Sequence, residues 1–222
     1  MIRAIAIRKT MLLEVKKIIV PPGQKVILYD LSWDEFEAIL VDLGESRSSR
    51  IAYDQGRMEI MTPLPEHEVN KEYVSDFVKV LLEELDIEFC PLGSTTFKNQ
   101  IMFKGIEPDS CFYIQNEAVI RGKNRLDLTI DPPPDLALEI DITNRSHPEI
   151  YQSFGVPELW RYEKNKLQIL LLIEGKYVES LTSRNFPNLP LTEVIPQYLT
   201  QCRSEGRNKG MRAFRSWVKE QL

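Results

Sequence analysis

The 222-residue sequence predicts a mixed fold of the α/β or α+β class. A helical segment comes first and is followed by a run of short strands with further helices between them. Residues 65–85 place apolar side chains at helical spacing, which predicts a helix with one face in the core. Residues 135–143 alternate strictly between apolar and polar side chains, which predicts a strand.

The first half of the chain is predicted to lead from an arm into a helix and a hairpin. Residues 1–20 are typical of a strand or an ordered arm, and residues 21–24 of a turn. Ser32 begins a helix over about 33–43, because Glu35 stands three residues later and completes a capping box. The elements expected next are, in order, strands at about 50–54 and 57–61 that form a hairpin, a helix at about 65–85, and short strands at about 87–90, 94–98 and 107–114.

The second half begins with a polar, proline-rich loop at residues 121–134. The elements expected beyond it are, in order, a strand at about 135–143, a short helix at about 147–154, a hairpin of strands at about 158–163 and 166–173, and a strand at about 176–181. The rest is predicted to be helical, and the stretch at about 208–221 has an apolar stripe opposite a basic face. Such a helix packs on its own chain, pairs in a dimer or contacts DNA. We favour the first two, because amphipathic helices usually bury their apolar face.

The composition excludes several classes of protein. With 43% hydrophobic and 27% charged residues, the chain is neither disordered nor of low complexity. No apolar run approaches the roughly 20 residues of a membrane helix, and no signal peptide is recognisable, so we expect a cytoplasmic protein. Three widely spaced cysteines and two histidines argue against a disulfide framework, a cysteine zinc site and a histidine-rich metal site.

The net charge of −5 is unevenly distributed along the chain. Residues 1–25 hold six basic residues against one acidic residue, and residues 201–222 hold six against two, which leaves residues 26–200 with a net charge of −14. A typical nucleic-acid-binding protein is basic overall. The basic ends either contact phosphates or are merely solvated, and the acidic middle is compatible with carboxylates that hold a divalent cation. We expect an N-terminal arm (1–25), a main domain (26–200) and a basic C-terminal helix (201–222).

The strand at 135–143 carries the most informative pair of side chains. Its alternation places Glu139 and Asp141 on one face, about 6.6–6.8 Å apart along the backbone. Two carboxylates so close repel each other unless a cation or a proton lies between them, and oxygen-rich sites of this kind select Mg²⁺ or Mn²⁺. The alternative is the exposed polar face of an edge strand, although the aliphatic residues opposite favour a central position.

A further acid, Asp109, follows Pro108 and lies 30 residues before Glu139. Pro108-Asp109 followed by Glu139-Ile140-Asp141 on a hydrophobic strand resembles the PD-(D/E)XK nuclease pattern. More closely, the chain resembles the Uma-two family of restriction endonucleases, which belongs to that superfamily. The segments that carry this resemblance lie in the family's order and are DLSWDEFEAIL (30–40), YDQGRMEIMTPLPEHE (53–68), EPDSCFYI (107–114), PDLALEIDITNRS (134–146) and YQSFGVPELWRYE (151–163).

The resemblance implies a restriction-endonuclease-like α/β core, a mixed β-sheet flanked by helices, with an N-terminal helix and β-hairpin. It implies that Asp109 and Glu139 bind Mg²⁺ or Mn²⁺, which activates water for attack on a phosphodiester. The family also has a histidine at the start of the long first core helix, and His67 matches it. Helical phase places both His67 and Glu66 on apolar stripes of the helix and Glu68 towards solvent. Of the first two, we expect His67 rather than Glu66 to reach the site. The alternative for His67 is a residue that caps or packs the start of the helix.

The sequence departs from the superfamily pattern at Asp141, where a lysine normally positions the water and neutralises charge in the transition state. An aspartate does the opposite, although it could bind metal as a third acid. Arg145 is the nearest cation in sequence and could take the lysine's role if the strand extended that far. The departure bears on nuclease activity and not on the fold.

Two functions follow from the sequence. The first is a Mg²⁺-dependent endonuclease that hydrolyses DNA, and the resemblance implies a homodimer. The residues expected at its site are Asp109, Glu139, Asp141 and His67, with Glu66 and Arg145 in auxiliary roles. The second is a nuclease-like fold with little or no catalysis that acts as a DNA-binding or regulatory protein. An unrelated acidic α/β binding domain is the remaining alternative.

Overall fold

The computed structural model describes residues 15–44, 47–141 and 147–222. Its helices are a 3-10 turn at Val15–Lys17, α1 (Trp33–Leu43), α2 (Pro65–Glu84), α3 (Glu117–Ile120), α4 (Pro148–Phe154), α5 (Leu191–Glu205) and α6 (Arg207–Gln221). Its strands are β1 (Lys25–Leu28), β2 (Arg50–Asp54), β3 (Arg57–Met61), β4 (Cys90–Pro91), β5 (Phe97–Asn99), β6 (Lys104–Ile106), β7 (Ser110–Tyr113), β8 (Leu136–Asp141), β9 (Glu158–Glu163), β10 (Lys166–Ile173) and β11 (Lys176–Ser180).

The strands in these ranges form two sheets. One has five strands in the order β1-β3-β2-β6-β5, and the other has six in the order β11-β10-β9-β8-β7-β4. Neighbouring strands are antiparallel except β8 and β9, which are parallel. A parallel pair needs a crossover connection, and α4 lies in it. The predicted fold class, a mixed α/β structure with helices beside the sheets, is confirmed.

Strand β8 lies inside the six-stranded sheet and is covered on both faces. Leu138 and Ile140 belong to a buried cluster with residues of α2, α5 and α6, whereas Ala137 belongs to a second cluster with residues of α4. Alternate residues of β8 thus pack into different cores on the two faces of the sheet. The strand is therefore central, as its aliphatic residues indicated.

The helix boundaries follow their local signals. Ser32 Oγ accepts a hydrogen bond from the Glu35 backbone N–H at 3.3 Å, and Glu35 Oε2 accepts one from the Ser32 backbone N–H at 2.8 Å. This capping box begins α1 where it was predicted. At the other end of the chain, α6 buries Phe214, whose ring centroid lies 4.6 Å from that of Phe77 in α2. Among the described helices, none is long and apolar enough to cross a membrane.

The strand predicted at about 107–114 is confirmed in part, as β7 (Ser110–Tyr113). The residues before it, Glu107-Pro108-Asp109, break the strand and connect β6 of the five-stranded sheet to β7 of the six-stranded sheet, and β6 had no counterpart in the prediction. Proline has no N–H to donate to a ladder, which favours the break at Pro108. The strand expected at 87–90 is reduced to Cys90–Pro91, whereas β1 and α3 had no counterpart in the prediction. The arm expected at 1–20 lies outside the described residues up to position 14.

Candidate active site

Asp109 and Glu139 are brought opposite each other by the pairing of β7 with β8. Ser110 pairs with Leu138 in an antiparallel register, so the same register continued by one residue places Asp109 beside Glu139. Residues directly opposite in such a pair have Cβ atoms about 4.5–5.5 Å apart. The backbone N–H of Ile140 donates to Asp109 Oδ2 at 2.7 Å, which ties the aspartate to β8. The two acids expected to act together therefore lie side by side.

Asp109 owes its position to the passage of the chain between the two sheets. It is the last residue of the segment that leaves β6 and enters β7, and its side chain is only 3% exposed. A buried carboxylate needs hydrogen-bonding or charged partners. Besides Ile140, these partners come from α2 and β2, because both elements converge on the same end of β7.

His67 supplies the partner from α2. It lies in the first turn of that helix, is buried, and its Nε2 lies 2.9 Å from Asp109 Oδ2. Its Nδ1 lies 3.4 Å from Glu68 Oε1. Burial disfavours the charged imidazolium, but the interactions with the Asp109 and Glu68 carboxylates outweigh burial and raise the pKa of His67 to about 9. The structure places His67 in the site and gives Glu68 a role that helical phase did not indicate.

Glu139 is half-buried and receives a hydrogen bond from α4. The phenol of Tyr151 donates to Glu139 Oε1. Removal of the Glu139 carboxyl from water raises its pKa well above the usual range, and the negative charges of Asp109 and Asp141 act in the same direction. The hydrogen bond from Tyr151 opposes these effects, because it favours the ionised form.

Asp141 lies on the same face of β8 but is engaged with a cation. Arg161, on the neighbouring strand β9, donates to Asp141 Oδ2 from Nη2 at 2.7 Å and from Nε at 3.2 Å. Both side chains are largely buried. Asp141 occupies the position where the superfamily pattern has lysine, and here it forms an ion pair with Arg161. This pair has no net charge, so it does not supply the positive charge that the lysine would bring.

The two auxiliary residues of the sequence analysis lie outside this cluster or outside the described part of the chain. Glu66 is 61% exposed and pairs with Arg203 of α5, at 3.1 Å. Arg145 falls in residues 142–146, which are not described. Sequence reasoning missed three residues that contact the site acids, which are Arg50, Tyr151 and Arg161. Tyr151 and Arg161 lie in the segment YQSFGVPELWRYE, so that motif was the available signal for them.

The donor set fits a hard divalent cation. Within the described ranges, no three Asp, Glu, His or Cys side chains are already arranged around a common point as a metal cluster. Asp109 and Glu139 nevertheless offer carboxylate oxygens, which Mg²⁺ and Mn²⁺ prefer. Burial and then the negative charge of Asp109 raise the pKa of Glu139, and a bound cation would offset both effects.

One family model matches most of the chain. The family model Uma2, described as "Putative restriction endonuclease", matches residues 33–202, a range that holds Asp109, Glu139 and His67. Among solved structures, the chain is similar to a crystal structure described as "a putative nuclease belonging to DUF820" from Anabaena variabilis. Sequence identity is 12% and the TM-score is 0.49, over 85% of this chain and 99% of that chain. No curated protein matches the chain.

Proposed function

The chain belongs to the Uma2 "putative restriction endonuclease" family, and on that premise we propose that it is an endonuclease that uses Mg²⁺ or Mn²⁺ to hydrolyse DNA phosphodiester bonds. The observation that carries the proposal is the placement of Asp109 opposite Glu139 at the junction of the two sheets. Two carboxylates held this close repel each other, and a bound cation would offset that repulsion.

Each residue of the site has a definable task in this reaction. Asp109 and Glu139 would hold the cation, which lowers the pKa of its water and offsets negative charge on the phosphate. The Ile140 N–H and His67 Nε2 both engage Asp109 Oδ2 and so fix the direction of that carboxylate. Tyr151 favours the ionised form of Glu139, which is the form that binds a cation.

Cleavage of supercoiled plasmid tests the proposal directly. The wild-type protein is expected to nick or linearise DNA with Mg²⁺ or Mn²⁺ and to be inactive with EDTA. Glu139→Gln and Asp109→Asn should each lower the rate by about 1,000-fold or more, because each removes a charged ligand. Glu66→Gln is the matched control, since Glu66 lies outside the cluster. Cleavage that persists in Glu139→Gln would point to a contaminating nuclease and contradict the proposal.

The pairing of Asp141 with Arg161 favours a second candidate, a protein that binds DNA or regulates another activity without cutting. This candidate predicts that the wild-type chain binds duplex DNA with Mg²⁺ but never cleaves it with any divalent cation. We also propose that the protein acts in the cytoplasm. We propose further that it is a homodimer, in which each copy of the site would cut one strand of a duplex. Light scattering should then give about twice the chain mass of 25.8 kDa.

A further inference from the structure

Arg50 borders the site because of the register between β2 and β6. Ala52 pairs with Ile106, so the antiparallel register continued by two residues places Arg50 opposite Pro108, next to Asp109. Arg50 Nε lies 3.7 Å from Asp109 Oδ1, the carboxylate oxygen that His67 does not engage. Of the lysines and arginines in the described ranges, Arg50 alone lies within ion-pair distance of Asp109.

One N–H of the Arg50 guanidinium donates no hydrogen bond to the described residues. Arg50 is 16% exposed, and its Nη2 lies 3.2 Å from Glu68 Oε1. Its Nε is fully buried and has no hydrogen-bond partner among the residues that the structure describes. An unpartnered buried donor is destabilising. The fold therefore keeps a cationic side chain with an unsatisfied N–H next to Asp109.

The proposed reaction adds negative charge to the site. A phosphate diester brought to Asp109 and Glu139 adds a negative charge, and that charge increases as water attacks. The position where the superfamily pattern has lysine is Asp141, which is paired with Arg161. Arg50 is an arginine, permanently charged and able to present two N–H groups to one phosphate.

We propose that Arg50 binds the scissile phosphate and supplies the positive charge that position 141 does not. The inference rests on the proposed nuclease function and adds a catalytic residue from β2, an element of the other sheet. A donor aimed at developing charge in a closed site contributes about 100–1,000-fold to the rate. Lysine at position 50 keeps the charge but loses the second N–H, so it should recover only part of that factor.

Three variants separate this role from a structural one. Arg50→Met should lower metal-dependent plasmid cleavage by about 100-fold, and Arg50→Lys by less. Arg57→Met is the matched control, because Arg57 begins the next strand of the same hairpin and pairs with Glu59 rather than with Asp109. It should cleave at the wild-type rate. In Ca²⁺, the slope of log affinity for duplex DNA against log salt should fall by about one in Arg50→Met alone.

Mn²⁺ binding without DNA distinguishes contact with phosphate from support of Asp109. Removal of a cation beside a metal ligand should leave Mn²⁺ affinity equal or higher in Arg50→Met. The inference is overturned if Mn²⁺ affinity falls in parallel with cleavage, or if Arg50→Met cuts and binds DNA like Arg57→Met. Either of these two outcomes, together with loss of cleavage in Glu139→Gln, would leave the nuclease proposal intact. If the wild type binds DNA without cutting it, the salt dependence of DNA binding still tests the role of Arg50. A slope that falls by about one in Arg50→Met supports the inference, and an unchanged slope overturns it. If it does neither, both proposals fail.

Discussion

His67 Nε2 lies 2.9 Å from Asp109 Oδ2, so a buried imidazole and a buried carboxylate form an ion pair where α2 meets the start of β7. The same carboxylate oxygen accepts from the Ile140 backbone N–H. In the absence of metal, the positive charge facing Asp109 is therefore supplied by protein groups, His67 and Arg50. A bound cation must share Asp109 with them.

The first prediction concerns the protonation of His67. Because Asp109 and Glu68 raise the pKa of His67 to about 9, its ring signals in metal-free protein should titrate near pH 9 by NMR. Asp109→Asn should move the midpoint down towards 6.5, the usual value. His67→Gln assigns the resonance. Titration of wild-type His67 at its usual pKa would contradict the ion pair.

The same shift makes stability depend on pH. A pKa that is higher in the folded state adds stability that is complete below pH 6.5 and is lost as the pH rises through about 9. Thermal unfolding of metal-free wild type should therefore lose several degrees more than His67→Gln between pH 6.5 and 9.5. About 1 kcal/mol corresponds to roughly 2–4 °C in a chain of this size.

The second prediction concerns the phenol of Tyr151. Tyr151→Phe removes a hydrogen bond to a charged group, worth about 1.5–3 kcal/mol, so the pKa of Glu139 should rise further. Mn²⁺ affinity at pH 7 should fall by about tenfold and recover as the pH is raised. Calorimetry measures both effects. Tyr177→Phe is the matched control, because its hydroxyl donates to the Val156 carbonyl in the same cluster. Equal affinities in the two variants would contradict the role of Tyr151.

The third prediction separates an ion pair from a third metal ligand at Asp141. If Arg161 is its partner, Asp141→Asn should cost about 2 kcal/mol of stability but change Mn²⁺ affinity by less than about threefold. The double variant with Arg161→Gln should lose less stability than the two single losses added together. A large fall in Mn²⁺ affinity in Asp141→Asn would instead make Asp141 a ligand.

The fourth prediction concerns the contact between α5 and α6. A Cβ at Gly210 would lie 2.4 Å from Cys202 Sγ and 2.9 Å from the Cys202 backbone nitrogen. Gly210→Ala should therefore destabilise the protein by about 1–3 kcal/mol, although alanine is the better helix former. Adding Cys202→Ala should restore only part of the loss, since the backbone contact remains. Chemical denaturation measures this, and unchanged stability would show that α6 does not pack closely on α5.

Local patterns were sufficient to predict several elements and part of the site. Ser32 and Glu35 define the start of α1, and the alternation around Glu139 defines β8, because capping and strand periodicity depend on neighbouring residues only. The pairing of Asp109 with Glu139 was an expectation from family resemblance. In the structure it follows from the register of β7 on β8, which no local pattern specifies.

The residues that were missed are contributed by distant parts of the chain. Arg50 reaches Asp109 only because β2 pairs with β6 and the chain then crosses between sheets. Arg161 meets Asp141 only because β9 lies parallel to β8. Such contacts depend on strand order, and a single sequence gives no direct information on it. The helical phase that placed Glu68 towards solvent ignored the neighbouring sheet for the same reason.

The most direct test of the site is a crystal soaked in Mn²⁺ and measured for anomalous scattering. The account predicts a peak between the carboxylates of Asp109 and Glu139, within about 2.0–2.3 Å of an oxygen of each, and its loss in Glu139→Gln. A soaked crystal in which Mn²⁺ scatters elsewhere, or in which the two acids bind no metal at millimolar Mn²⁺, would contradict it.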